Sequence, residues 1–184
     1  MHRLKVKEFM VPLAEYATID EDSFLVDAII SLKNAQKDLD KKKYKHRAIL
    51  IYNKNKEIVG KLSQLDVIRS LEPKYNDLGK FDRISLSGLS SQFIKSIIDD
   101  HSLWQENIEM MSNRVRDIKV KDIMYTPIEG EKIDLEASMG EALHAVVIGR
   151  HQSLLVTKDS NIVGILRLTD IFSLISKYIL ESKK

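Results

Sequence analysis

The period of the apolar positions changes in the same order twice along this chain. From Ser23 to Leu39 the apolar residues include Phe24, Ala28, Leu32, Ala35 and Leu39. That spacing is close to the 3.6-residue repeat of a helix with one buried face. The stretch Ser138–Ile148 does the same with Met139, Ala142, Leu143, Val146 and Val147. Ahead of each lies a short extended segment, ending at Thr18-Ile19 or Lys132-Ile133, and an acidic residue then opens the helix. Acidic residues there suit both capping and the positive end of the helix dipole. Behind each helix comes an aliphatic run of strand length, Ala48–Tyr52 and Ser153–Val156. Polar turns at Asn53–Glu57 and Thr157–Asn161 lead into further strands from Ile58 and Ile162. Second helices begin near Ser63–Asp66 and Thr169–Asp170. The order strand, helix, strand, strand, helix predicts a layered α/β unit, present twice.

The residues themselves repeat as well as the pattern. Lys5-Val6-Lys7-Glu8-Phe9-Met10 aligns with Lys119-Val120-Lys121-Asp122-Ile123-Met124, and Ile19-Asp20 with Ile133-Asp134, at a constant offset of 114. Ile58-Val59-Gly60 meets Ile162-Val163-Gly164, and Asp66-Val67-Ile68 meets Asp170-Ile171-Phe172, at an offset of 104. The first copy therefore carries ten extra residues in between, around Gln36–Lys45. A unit of about 65 residues buries only a modest core, so the two copies are expected to pack face to face as a pseudo-symmetric pair. The division expected is a first unit at 1–72, a helical insertion at 73–117 and a second unit at 118–184. Within the insertion, Ser90–Ile98 reads as a capped amphipathic helix. Trp104, Ile108, Met111 and Val115 read as a second one.

Composition narrows the classes of function. Of 184 residues, 43% are hydrophobic and 30% charged, the balance of an ordinary globular protein. The net charge of +2 gives no field to hold nucleic acid or an anionic membrane. No cysteine is present, which removes disulfides, thiolate zinc sites and a Cys nucleophile. Neither a signal-peptide core nor an apolar stretch of membrane-spanning length is apparent, so a soluble cytoplasmic protein is the expectation. His46, His101, His144 and His151 lack a short paired ligand spacing, and no metal site is expected. There is no Gly-x-Ser-x-Gly, Walker loop or Gly-x-Gly-x-x-Gly, and no enzyme activity is expected. The run Lys41–Arg47 reads either as an electropositive rim or as a solvated loop balanced by Asp38 and Asp40.

The closing segments Gly60-Lys61-Leu62-Ser63-Gln64-Leu65-Asp66 and Gly164-Ile165-Leu166-Arg167-Leu168-Thr169-Asp170 sharpen the reading. With the Val-Lys-Glu/Asp-x-Met openings and the Ile-Asp corners, each copy resembles a CBS domain, the β-α-β-β-α module named after cystathionine β-synthase. The resemblance covers residues 3–72 and 118–180. It implies an α/β (α+β) fold: two CBS repeats packed through their sheets as a pseudo-twofold pair, with clefts between them. It also implies a regulatory module whose clefts take an adenosyl effector, AMP, ADP, ATP or S-adenosylmethionine, with no obligatory cofactor. Further dimerisation and signalling to a partner protein follow from the same resemblance. The alternative is a ligand-free dimerisation or interaction module.

The family pattern at the closing segment is Gly-hydrophobic-hydrophobic-Ser/Thr-x-x-Asp. Its Asp holds the ribose hydroxyls and its Ser/Thr reaches a phosphate. Carried over, it assigns Asp66 and Ser63 to the first cleft, and Asp170 with Arg167 in place of Ser/Thr to the second. A carboxylate can accept both hydroxyls of a diol, and a hydroxyl at a helix start offers an anion seat. Arg167 can supply a fork of phosphate donors, or it can pair with Asp170 and close the cleft. Adenine walls are expected from Thr18, Ile19, Ile49 and Leu50, and from Lys132, Ile133, Ser153 and Leu154. His46, Arg47 and His151 are candidates for the rim. Ser63 with Asp66 also reads as a simple capping arrangement.

Overall fold

Strict alternation along the strands separates two kinds of core. The computed structural model describes residues 3–37, 48–76 and 90–181. One sheet has the order β2 (Thr18–Asp20), β3 (Ala48–Tyr52), β4 (Ile58–Ser63), with β2 parallel and β4 antiparallel to β3. The other has the order β1 (Val11–Pro12), β7 (Asn161–Arg167), β6 (Ser153–Lys158), β5 (Lys132–Asp134). Ile49 and Ile51 of β3 turn to α1 (Leu25–Lys37), meeting Leu25, Ala28 and Leu32. Leu154 and Val156 of β6 turn to α6 (Met139–Gly149), meeting Met139, Ala142 and Val146. The residues between them, Leu50 and Leu155, point the other way and join Tyr16 and Ile165 in a layer between the sheets. Successive side chains on a strand face opposite sides, so each strand serves both a helix-side core and the shared layer. The face-to-face pair expected from the repeat is thus present.

The opening segment of each repeat packs on the other repeat. Val6 N–H donates to Ala137 C=O and Val120 N–H to Ser23 C=O, two bonds related by the same offset of 114. Lys7 to Leu135 and Lys121 to Glu21 form a second such couple. Val6 is buried in the second repeat's helix-side core and Val120, in α5 (Val120–Ile123), in the first's. Each opening then crosses a strand at a glycine. Val11 pairs with Ile165 beside Gly164, and Tyr125 with Lys61 beside Gly60. A Cβ on Gly164 would lie 2.6 Å from Val11 C=O, and one on Gly60 would lie 2.6 Å from Met124 Sδ. At Gly164 the obstacle is backbone, and only glycine admits so close a crossing there.

The second helices are α2 (Gln64–Ser70) and α7 (Leu168–Glu181). The middle segment contributes α3 (Ser91–Asp100), capped by Ser90, and α4 (Ile108–Val115), capped by Asn107. Trp104 is not part of the second of these helices. It sits in the turn before it with φ at 58°, where its N–H donates to the buried carboxylate of Glu72 at 2.7 Å. Its indole N–H donates to Tyr75 Oη at 2.9 Å. The carboxylate of Glu72, a residue only 5% exposed, needs such donors, and this tie outweighs the helical spacing. The run Lys41–Arg47, with its residues His46 and Arg47, lies outside the described residues.

Candidate ligand cleft

Where β4 runs into α2 and β7 into α7, the two strand-to-helix corners face one cleft of about 550 Å³ between the sheets. Ser63 caps α2 and Asp66 is its third residue, so the two close on each other. Asp66 Oδ2 accepts from Ser63 N–H and from Ser63 Oγ, both at 2.7 Å, and Ser63 Oγ accepts from Asp66 N–H at 3.3 Å. This is the capping arrangement legible in the sequence. No hydrogen bond reaches Asp66 Oδ1 among the described residues, and both side chains line the cleft.

The second corner is built differently. Arg167 folds back on Asp170, its Nε donating to Oδ2 at 2.7 Å and its Nη2 to Oδ1 at 2.5 Å. The Arg167 N–H adds a bond to Oδ2 at 3.1 Å. Both carboxylate oxygens are engaged, and the side chains are only 12% and 14% exposed. Of the two sequence alternatives for Arg167, the pairing with Asp170 is the one realised. Arg167 lines the cleft and Asp170 does not. Beside this pair stands Tyr16, whose phenol is pushed up to about 12 by burial, with Arg167 opposing and Asp170 adding.

Opposite the first corner is a charged pair that the repeat alignment does not single out. Lys61 Nζ on β4 donates to Glu131 Oε1 at 2.7 Å. Glu131 ends the 3₁₀ turn Glu129–Glu131 ahead of β5 and is 8% exposed at its side chain. His151 Nδ1 lies 3.7 Å from the same oxygen. Burial pushes the Glu131 carboxyl up, but the hydrogen bond and charge of Lys61 outweigh it and the net shift is downward. The Tyr125 hydroxyl beside Glu131 adds to that lowering. Lys61 Nζ also sits 4.9 Å from the Tyr125 ring centre, within cation–π range. A lysine in the apolar strand Ile58–Ser63, where the second repeat has Ile165, was the available signal for this pair.

The expected adenine walls are mostly elsewhere. Ile49, Ile133 and Leu154 are buried in the helix-side cores and Leu50 in the layer between the sheets, so none of the four lines the cleft. Ile19 packs against the first helix-side core. Thr18 and Lys132 open onto two other grooves, Thr18 beside Tyr52 and Lys132 beside Leu155. Ser153 and His151 do line the cleft. The partner of Ser153 is Ala48, not Ile49: Ala48 pairs with Ser63 as Ser153 pairs with Arg167. The first hairpin is one residue longer, and a slip of one residue on a strand moves a side chain to the opposite face.

Residues 120–177 match the family model described as CBS domain. No curated protein sequence matches the chain. Among solved structures, a CBS domain-containing protein of unknown function from Bacillus anthracis superposes with a TM-score of 0.64 at 19% identity. That match covers 96% of this chain and 95% of the other. CBSX2 in complex with AMP has a TM-score of 0.59 at 15% identity, the match covering 98% of this chain and 99% of the other. The CBS domain of a bacterial CNNM/CorC family Mg2+ transporter in complex with ATP has 0.59 at 13%, covering 95% and 89%. Such identities establish a shared fold. No described helix is long and apolar enough to cross a membrane, and no group of three or more His, Cys, Asp or Glu among the described residues is placed to hold a metal ion.

Proposed function

We propose that this CBS-domain protein is a regulatory module that binds an adenosyl ligand at its first corner and signals that state to a partner. The observation that carries the reading is Asp66. Its Oδ2 fixes the start of α2, while Oδ1 makes no hydrogen bond among the described residues at a cleft of about 550 Å³. A ribose diol would satisfy that oxygen, and a phosphate would draw the one Ser63 hydroxyl proton away from Asp66 Oδ2, which keeps the Ser63 N–H. The AMP and ATP bound to two proteins of the same fold support the choice of an adenine nucleotide. S-adenosylmethionine remains in the ligand class because it carries the same adenosine. The second corner takes no ligand in this reading, since Arg167 saturates Asp170.

The test is thermal unfolding with AMP, ADP, ATP, S-adenosylmethionine and a GTP control. A ligand that binds only the native state raises the melting temperature by mass action. We expect a rise with at least one adenosyl ligand, lost in Asp66→Ala and kept in Asp170→Ala. No rise with any of them would favour the ligand-free interaction module.

The signal passes through a homodimer in this reading. Ile68 on α2 and Phe172 on α7 occupy equivalent places in the two repeats and are 53% and 64% exposed. As equivalent exposed positions on the two second helices, they offer a quasi-symmetric pair of apolar side chains that two identical copies can share. Sedimentation as a monomer at all concentrations would remove that part of the proposal.

A further inference from the structure

The unexplained group in the cleft is the second oxygen of Glu131. Oε1 is held by Lys61, but Oε2 is buried and, among the described residues, has no hydrogen-bond partner, although the Tyr125 hydroxyl stands near enough to help lower the carboxyl. Buried carboxylate oxygens are rarely left so, because the missing bond costs a full desolvation penalty. The residue lines the same cleft as Ser63 and Asp66, on the wall supplied by the other repeat. Rotation about the terminal torsion of a glutamate is soft, so a small turn presents the free oxygen to an occupant of the cleft. That oxygen can only accept. Beside it, Lys61 Nζ can only donate.

We propose that Glu131, with Lys61 beside it, reads the adenine base, its free oxygen accepting from the exocyclic 6-amino group. This rests on the reading of the cleft as an adenosyl site. A 9-substituted adenine offers one N–H donor, that amine; its other edge atoms, N1, N3 and N7, are acceptors that a carboxylate repels. The ring nitrogen next to the amine then faces Lys61 Nζ. Aromatic Tyr16 and Tyr125 and aliphatic Leu65 supply the flat and apolar surface a purine needs. Asp66 at one wall and Glu131 at the other divide the ligand between them, sugar to the first repeat and base to the second. Both repeats must be in register for both contacts to form.

The experiment compares the full chain's affinity, by calorimetry, for AMP, ADP and ATP with the matching purine riboside phosphates, in which hydrogen replaces the 6-amino group. A hydrogen bond to a charged group predicts at least about a tenfold preference for the amino compound. Glu131→Leu, which removes the acceptor altogether, should bring that preference down to about twofold or less. Asp66→Ala should weaken both compounds alike. Equal binding of the two compounds by the unmodified protein would overturn the assignment of Glu131 while leaving the adenosyl site standing, and this comparison needs no variant to fold. A preference that survives in Glu131→Leu would also overturn it. Failure of the unmodified protein to bind any compound in either set would overturn the adenosyl reading and this inference together.

Discussion

The two strand-to-helix corners share a backbone and differ in nearly every group that faces the cleft. At the first, Ser63 and Asp66 make a reciprocal cap that leaves Asp66 Oδ1 without a hydrogen bond among the described residues. At the second, Arg167 takes both oxygens of Asp170. The opposite walls diverge too. Glu131 and Lys61 of the first cleft occupy the repeat positions of Ala17 and Ile165, and buried Tyr16 occupies that of Gly130. One wall is charged and, among the described residues, holds a buried oxygen without a hydrogen bond; the other is aromatic. Duplication preserves what backbone hydrogen bonds and core packing require. It leaves the cleft-facing positions free to specialise, because few packing contacts constrain them.

The largest effect should come from breaking the charged wall. Lys61→Met removes one partner of a buried pair, which costs about 3–5 kcal/mol because the other charge is stranded. In the unmodified protein the Glu131 pKa is below its ordinary 4.5. Its stabilisation is therefore present above pH about 4.5 and is lost as pH falls through the lowered value. Without Lys61, burial dominates and pushes the carboxyl up, so the variant should regain part of its deficit on acidification. Urea midpoints at pH 7 and at pH 4 would show this; a deficit unchanged between them would mean that Glu131 is not the stranded charge.

The second corner can be remade in the image of the first. Arg167→Ser frees both oxygens of Asp170 and restores a Ser three residues ahead of it. If Arg167 is what closes this corner, calorimetry should show the ligand stoichiometry rising from one to two per chain. A stoichiometry that stays at one would place the closure on Tyr16 and sharpen the contrast between the walls.

Tyr16 itself offers the smallest of these effects. Its folded-state pKa of about 12 exceeds the ordinary 10.0, so the unfolded chain loses the proton first. The stability this contributes is complete below pH about 10 and is lost as pH rises toward about 12. Between pH 9 and pH 11, unfolding midpoints of Tyr16→Phe should fall less steeply than those of the unmodified protein. Parallel slopes would show that the phenol is not shielded.

Much of the architecture was legible because it is written in short-range periods. The 3.6-residue spacing of Ala28 and Leu32 places α1, although the buried residue of its first turn is Leu25 and not Phe24, and the aliphatic run Ile49–Ile51 places β3, without reference to anything distant. The Ser63–Asp66 cap was legible for the same reason: its partners are three residues apart. The strand register makes Ala48, not Ile49, the counterpart of Ser153 at the cleft. Nothing local tells which of two hairpins holds the extra residue, and pairing with Ser63 decides it.

By itself, then, the sequence determined the duplication, the order of elements in each copy and the corner carrying Ser63 and Asp66. These follow from repeats, caps and apolar periods that act over a few residues. Only the tertiary structure decided that each opening segment completes the opposite repeat, as Val6 does at Ala137 and Val120 at Ser23. It alone chose between the two readings of Arg167, and it alone brought Lys61 to Glu131, 70 positions apart in the chain. Burial turns such a distant pair into a strong constraint by removing the water that would otherwise screen it. Neither partner carries a mark of that burial in its own neighbourhood of the sequence.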